Sequence, residues 1–219
     1  MCLARSTLRL NNVTGFKGYC PTRTMRPIID SALSDASQAL DALRRDTGTL
    51  SRIEETARII VQTFTSGGRV IAAGNGGSMC DAMHFAEELA GRFRGDRKAL
   101  PAMAVSDPGL LSCVANDFGY DRVFARFLEA HGRPGDLFIG ISTSGASPNV
   151  LAAASTAKAI GMRTVALVGR ADSPLESASD IAVVTPGGRY SDRVQELHIK
   201  VIHVLIELVE WEMFPDRRS

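Results

Sequence analysis

Five polar side chains on two predicted helices are suited to proton transfer or metal binding. His84 and Glu88 are four residues apart, so on a helix they lie on one face, although a surface charge pair is the ordinary alternative. Gln195, His198 and His203 interrupt a C-terminal helix that is otherwise apolar almost all round. Because such a helix is buried and buried polar groups need partners, these three are either structural hydrogen-bonding groups or members of a site.

The chemistry of these groups fits two uses. Two imidazoles, a carboxylate and an amide oxygen suit a divalent metal, and the nitrogen ligands favour zinc. A Glu and a His also suit the isomerisation of a sugar, in which a base moves a proton between adjacent carbons through an enediol. His198 and His203 are about 140° apart on a helix. One site is therefore not expected to use both, and spacing does not decide between them. Glu87, about 100° from Glu88 on the helix, is expected to face elsewhere.

A first loop with phosphate-binding chemistry is Gly74-Asn75-Gly76-Gly77-Ser78, between a predicted strand and a predicted helix. Glycines let the backbone approach a ligand, and the free amides of a helix start attract an anion. The loop is not the dinucleotide motif, because Met79 stands where a glycine is needed, and no Gly-Lys-Ser/Thr follows as in a P-loop. A tight turn without any ligand explains it equally well.

A second loop, Ser142-Thr143-Ser144-Gly145-Ala146-Ser147-Pro148, carries four hydroxyls in six positions. Ser147 is a natural N-cap before Pro148, but capping accounts for only one of these hydroxyls. Short hydroxyl side chains and backbone amides can satisfy the several oxygens of a phosphate without a large positive charge. This loop is therefore predicted to bind phosphate.

The elements that position these loops alternate between short apolar strands and helices. This pattern predicts a doubly wound α/β fold, with a parallel five-stranded sheet, an N-terminal helical hairpin and a long C-terminal helix. Ligands of such sheets bind beyond the carboxyl ends of the strands, where both loops lie. The predicted strands are 69–73, 102–105, 137–141, 164–168 and 181–184, and the predicted helices are 28–43, 51–64, 78–93, 109–115, 122–131, 148–160 and 191–213.

Composition excludes several classes of protein. The 219 residues carry 25 basic and 24 acidic side chains, so a net charge of +1 gives no electrostatic argument for nucleic acid. Four cysteines without a CxxC pair favour a reduced, cytoplasmic protein, and no apolar run is long enough for a membrane span. Residues 1–26 lack acidic side chains and are expected to be a disordered tail, either transit-like or upstream of a true start at Met25. Residues 27–219 are expected to form one domain.

Four blocks of this sequence, in order, resemble a known family. They are GNGGSMCDAMHFAEELAGRF (74–93), Asn116-Asp117 in VANDFGY, ISTSGASPN (141–149) and RVQELHIKVIH (193–203). They resemble the bacterial sedoheptulose 7-phosphate isomerases, also called phosphoheptose isomerases, which belong to the sugar isomerase (SIS) fold group. The resemblance covers roughly residues 27–214. The departures are Met79, where some members carry His or Ala, and the N-terminal tail.

The resemblance implies a reaction and a set of site residues. The family converts sedoheptulose 7-phosphate to D-glycero-D-manno-heptose 7-phosphate, for nucleotide-activated heptoses and surface lipopolysaccharide. It implies Glu88 and His203 as the acid–base pair, one zinc ion per subunit, and Asp192 as an orienting acid. The implied zinc ligands are His84, Glu88, Gln195 and His203. The implied substrate contacts are Asn75, Gly76, Gly77, Glu88, Asn116, Asp117, Ser142, Thr143, Ser144, Ser147 and Gln195. The family also implies a cytoplasmic homotetramer with active sites at subunit interfaces.

Three other functions compete with this one. A non-catalytic interaction protein of the same fold, similar to the bacterial replication-initiator-associating protein, would lack the matching Glu and His that this sequence keeps at Glu88 and His203. A regulatory SIS domain would bind a sugar phosphate without turnover and would not explain the two polar helix sets. A pentulose or hexulose phosphate is also open as substrate, because no residue pattern measures the length of the sugar.

Overall fold

The computed structural model describes residues 24–188 and 190–215. Most of the predicted N-terminal tail lies outside the described residues, so its disorder stays a prediction. Its last residue, Arg26, already belongs to the first helix, which has Pro27 in its first turn. Proline is accepted there because the amide it lacks would have no partner within the helix.

The first two helices form the predicted N-terminal hairpin. Helix α1 spans Arg26–Arg45 and α2 spans Thr47–Thr65, with Asp46 between them. The Asp46 carboxylate accepts hydrogen bonds from the amide and the hydroxyl of Thr49 at 3.0 and 2.8 Å, and these bonds lower the pKa of Asp46. This cap starts α2 before the predicted Ser51, because it satisfies amides that would otherwise lack partners.

The apolar stripe of α1 is largely uncovered. Ile28, Ile29 and Leu33 are each at least half exposed, and Leu43 is the buried residue of this helix. The helical spacing that predicted α1 was therefore correct, but most of the stripe finds no cover among the described residues of the chain.

The predicted parallel five-stranded sheet is confirmed. All neighbouring strands pair in parallel, in the order β2-β1-β3-β4-β5. The crossover from β1 out to β2 and back to β3 makes the sheet doubly wound and brings the ends of β1 and β3 side by side. The strands are β1 Val70–Gly74, β2 Ala102–Ala104, β3 Leu137–Ser142, β4 Arg163–Val168 and β5 Ile181–Val184.

Helices cover both faces of the sheet. Along β1, Val70 and Ala72 enter one apolar core, and Ile71 and Ala73 enter the other, because side chains alternate along a strand. The first core contains α2, α3 Gly77–Ala90 and α8 Ser191–Met213. The second contains α4 Pro108–Phe118, α5 Val123–His131, α6 Pro148–Ile160 and α7 Pro174–Ala178, with a 3-10 turn at Tyr120–Arg122 before α5.

The C-terminal helix α8 is covered mainly by its own chain. It packs against α1, α2 and α3, which bury its apolar side chains from Val194 to Val209. The prediction that this apolar helix is buried is therefore confirmed, and uncovered apolar surface lies on α1. No helix in the described ranges combines the length and apolarity that a bilayer crossing requires.

Helix α3 is shorter than predicted, and one further helix was not predicted. Helix α3 ends at Ala90, not Phe93, and Gly91 follows it. The short helix α7 was not predicted, because five residues do not show helical periodicity. Ser173 caps α7 by accepting a hydrogen bond from the Glu176 amide at 3.4 Å.

Candidate active site

Three of the predicted chemical groups converge between α3 and α8. His84 and Glu88 come from one face of α3, and His203 comes from α8. Their ligand atoms all lie within 4.8 Å of one another. His84 Nε2 is 2.9 Å from His203 Nε2 and 3.5 Å from Glu88 Oε1. The prediction that His84 and Glu88 share a face is confirmed, and their position opposite His203 makes them more than a surface pair.

This geometry fits a tetrahedral metal ion. Ligand atoms about 2.0–2.1 Å from a zinc ion are separated by about 3.3 Å in a tetrahedron. His84 Nε2 is 2.9 Å from His203 Nε2 and 3.5 Å from Glu88 Oε1, and the tetrahedral separation lies between these two distances. Two imidazole nitrogens and one carboxylate oxygen are also the donor types that zinc prefers. The three residues can therefore hold a divalent ion with modest side-chain adjustment.

The surroundings of His203 favour its neutral form. Burial lowers the pKa of His203, and the electrostatic effects of His84, Lys200 and Arg94 lower it further, whereas Glu88 opposes the shift. Phe93 packs against the His203 ring, with 5.8 Å between ring centroids. A neutral imidazole has a free lone pair, so His203 can accept a proton or bind a metal near neutral pH.

Glu87 takes part in the cluster, contrary to the prediction. Its Oε1 lies 3.2 Å from His84 Nδ1, although its side chain is largely exposed. The prediction considered only the angle between Glu87 and Glu88 on the helix. A glutamate can also contact a side chain three residues earlier on its own helix, which here is His84. A carboxylate on Nδ1 fixes the ring so that Nε2 faces His203 and Glu88.

Gln195 lies against the start of α3. A Cβ atom on Gly77 would stand 2.5 Å from Gln195 Nε2, so only glycine lets the first loop approach this amide so closely. Gln195 is two helical turns before His203 on α8. The structure thus places Gln195 beside the first loop, and its service as a zinc ligand and substrate contact stays a prediction.

The first loop is shaped by glycine and held by amides. Gly76 is the N-cap of α3 with a φ of 56°, a conformation that favours glycine. Asn75 exchanges two hydrogen bonds with the buried Asn149 at 2.8 and 2.9 Å, and the Tyr120 hydroxyl donates to Asn75 Oδ1 at 3.1 Å. Sequence reasoning did not single out Asn149 or Tyr120, because both partners are far from Asn75 in the chain.

The hydroxyl loop follows β3 and begins α6. Ser142 Oγ lies 3.0 Å from Ser147 Oγ and 3.5 Å from Ser144 Oγ, so three of the four hydroxyls cluster. Ser147 is the N-cap residue of α6 as predicted, but its side chain makes no cap hydrogen bond. Clustered hydroxyls at the start of a helix suit an anion, and the binding of phosphate by this loop stays a prediction.

A cavity of about 310 Å³ adjoins the hydroxyl loop. Thr143 and Ser144 line one side, and the exposed Arg170 lines another. Arg170 follows β4, so the same sheet edge supplies a cation next to the hydroxyls. Sequence reasoning did not select Arg170, because the helix after β4 is too short to mark a phosphate loop.

Three predicted residues are not among the groups that converge with His84. Asn116 Nδ2 donates to Asp117 Oδ1 at 2.8 Å, and both side chains are exposed near the end of α4. Tyr120, a few residues later, reaches Asn75 and brings this part of the chain to the first loop. Asp192 is exposed in the first turn of α8. The substrate contacts of Asn116 and Asp117 and the orienting role of Asp192 stay predictions.

The structure separates the two histidines that spacing left open. His198 is fully buried, and neither ring nitrogen has a hydrogen-bond partner among the described residues. Burial lowers the pKa of His198 to about 4, and the Val168 carbonyl opposes this shift. His198 is therefore a neutral residue of the interior, whereas His203 faces the cluster.

Comparison with known proteins defines the class. The SIS domain family matches residues 34–169, more than half of the chain and both loops. The sheet order and the loops at its carboxyl edge are thus those of an SIS-domain protein.

Similar proteins narrow the assignment. The chain is 49% identical over 186 residues to the phosphoheptose isomerase of Vibrio cholerae, covering 85% of this chain and 97% of that protein. Its structure matches the phosphoheptose isomerase of Neisseria gonorrhoeae with a TM-score of 0.79 and 31% identity, over 85% of this chain and 99% of that one. The Francisella tularensis phosphoheptose isomerase gives the same TM-score at 29% identity, over 85% and 98%. The chain belongs to the phosphoheptose isomerase family of SIS-domain proteins.

Proposed function

We propose that this protein is an aldose–ketose isomerase that converts sedoheptulose 7-phosphate to D-glycero-D-manno-heptose 7-phosphate. The observation that carries the proposal is the convergence of His84, Glu88 and His203 beside two phosphate-type loops. The names and the extent of the similar proteins support it. The product is the kind of precursor from which nucleotide-activated heptoses for surface lipopolysaccharide are made, in the cytoplasm.

The hydroxyl loop and Glu88 have separate roles in the reaction. The hydroxyls of Ser142, Ser144 and Ser147 bind the phosphate, which fixes the distance along the sugar to the reacting carbons. The Glu88 carboxylate takes the proton from the carbon next to the carbonyl and returns it to the neighbouring carbon. Between these steps the sugar is an enediol.

His203 moves the second proton. Its neutral ring accepts a proton from one sugar hydroxyl and donates it to the other oxygen, which becomes the new hydroxyl. Glu87 on His84 Nδ1 keeps the opposite ring in place. His84, Glu88, Gln195 and His203 would hold a zinc ion, which would supply Lewis-acid polarisation of the sugar oxygens.

Zinc dependence is the first expected result. The protein purified without chelator should contain about one zinc ion per chain, because three donor groups already converge. Exhaustive chelation should lower kcat by roughly 100-fold or more, and added Zn²⁺ should restore it. Metal analysis with a coupled isomerase assay checks both points. Full activity of a verified metal-free protein would show that the metal is not catalytic.

The two non-catalytic alternatives explain less of the site. A regulatory domain that binds a sugar phosphate would use both loops but has no need of His84, Glu88 and His203 within 4.8 Å. An interaction protein of this fold would need neither the loops nor the cluster. An isomerase requires both the phosphate-type loops and the His84, Glu88 and His203 cluster, and the proximity of the loops to the cluster favours catalysis.

A homotetramer with active sites at subunit interfaces is part of the proposal. The exposed stripe of Ile28, Ile29 and Leu33 on α1 supports it, since a stripe of this kind is normally covered in the assembled protein. Sedimentation of the full chain measures the assembly. A monomer at micromolar concentration would contradict this part of the proposal.

A further inference from the structure

A strap of residues 91–98 follows α3 and lies along α8. It contacts three successive positions on one face of that helix. Phe93 packs on the His203 ring, Arg94 Nη1 lies 2.6 Å from Glu207 Oε1, and Arg97 Nε lies 2.6 Å from Glu210 Oε1. The strap therefore joins the end of one helix of the cluster to the face of the other.

Arg97 is the buried residue of this strap. Its side chain is 0% exposed, whereas the Arg94 and Glu207 side chains are 65% and 53% exposed. Glu210 is also mostly buried, at 18%. A guanidinium without solvent contact must place its donors on protein acceptors, because an unpaired buried charge is strongly unfavourable.

The acceptors of Arg97 are the last carbonyls of α3. Nη2 donates to the Glu88 carbonyl at 2.6 Å, and Nη1 donates to the Leu89 carbonyl at 2.8 Å and the Gly91 carbonyl at 3.1 Å. Carbonyls at a helix C-terminus lack partners within the helix and carry the negative end of its dipole. Arg97 therefore caps the end of α3 and, through Glu210, ties that end to α8.

The two tied helices carry the proposed metal ligands. Glu88 offers its carboxylate to the cluster and its carbonyl to Arg97, so the two contacts share one residue. His203 lies about two turns before Glu210 on α8. A shift of α3 against α8 would change the separation of Glu88 and His84 from His203, which a metal site tolerates poorly.

We propose that Arg97 is a positioning residue, which fixes α3 against α8 and so sets the separation of His84 and Glu88 from His203. The inference rests on the proposed metal site but adds a residue that touches neither metal nor substrate. A guanidinium is needed here because one planar group must donate in several fixed directions at once, which a lysine ammonium does not reproduce.

The test compares three variants of the full chain. Arg97→Lys keeps the charge and loses the fork of donors. Glu210→Gln keeps the shape of the acceptor and loses its charge. Glu207→Gln is the matched control, one turn earlier on the same face of α8 and exposed. Competition with a chromogenic chelator measures zinc affinity, and the visible absorption of the cobalt-substituted protein reports ligand geometry. Both are read well below the unfolding midpoint of each variant.

Arg97→Lys should weaken zinc binding by about tenfold, change the cobalt spectrum and lower kcat, with KM changed less than about threefold. Glu210→Gln should change zinc affinity, the cobalt spectrum and kcat in the same direction but by less. If Arg97→Lys fails to fold, Glu210→Gln tests the positioning role in its place. Glu207→Gln should stay within about twofold of the wild type. A lower unfolding midpoint with unchanged zinc affinity and cobalt spectrum would overturn the positioning role. A wild type that binds neither ion would instead overturn the proposed metal site.

Discussion

Replacement of Glu88 by glutamine is expected to lower kcat by roughly 1000-fold or more. Glutamine keeps the size and shape of the side chain, but it replaces one acceptor oxygen by an NH2 donor and cannot accept a proton from carbon near neutral pH. The side chain is only 19% exposed, and the amide fits the same space, so the fold should not change. A coupled assay with sedoheptulose 7-phosphate measures the loss, and circular dichroism checks the fold.

Glu87→Gln is the matched comparison for this variant. The two glutamates are neighbours on α3, but the Glu87 side chain contacts His84 Nδ1 and is largely exposed. Replacement of Glu87 should lower kcat by about tenfold, as is usual for a group that orients a metal ligand. Turnover of Glu88→Gln within tenfold of the wild type, or a larger loss in Glu87→Gln, would contradict the assignment of Glu88 as the base.

Replacement of His203 by alanine is expected to abolish isomerisation to a similar degree. The change removes a proton carrier and one of three converging metal donors, so zinc affinity should fall together with kcat. The stability of the chain and its assembly should change little, because the ring faces the cluster and is not part of the apolar core. Turnover, zinc content and sedimentation measured on one preparation check these points.

His198→Ala should behave in the opposite way. Its ring is fully buried, so its loss leaves a cavity in the interior. The free energy of unfolding should fall by roughly 2 kcal/mol, while kcat of the folded protein should stay within about threefold. If His198→Ala lost turnover without loss of stability while His203→Ala remained active, the two roles would be reversed.

Much of the fold could be predicted from local pattern. Apolar strands that alternate with helices identified the five parallel strands, and the glycine and hydroxyl loops were placed at the carboxyl edge. The spacing of His84 and Glu88 placed both on one face of α3, because helix geometry is fixed over a single turn. Such features depend on neighbouring residues alone.

Features set by tertiary packing could not be predicted from spacing. Helix periodicity separated His198 from His203 but did not show which one faces α3; the family resemblance selected His203, and the structure agrees. The contacts of Asn75 with Asn149 and Tyr120 join residues far apart in the chain, so no local pattern signals them. The apolarity of α8 indicated burial correctly, but only the packing of α1, α2 and α3 showed that its own chain covers it.

The most direct test of the proposed function is a comparison of ketose phosphates with the zinc-loaded protein. Sedoheptulose 7-phosphate, a five-carbon ketose phosphate and a six-carbon ketose phosphate are each supplied over a range of concentrations, and the aldose product is measured. We expect kcat/KM for the seven-carbon sugar to exceed the other two by about a hundredfold or more, because hydroxyl-binding groups left unpaired by a shorter sugar are costly. Faster turnover of a shorter ketose phosphate, or no turnover of any of the three, would contradict the proposed function.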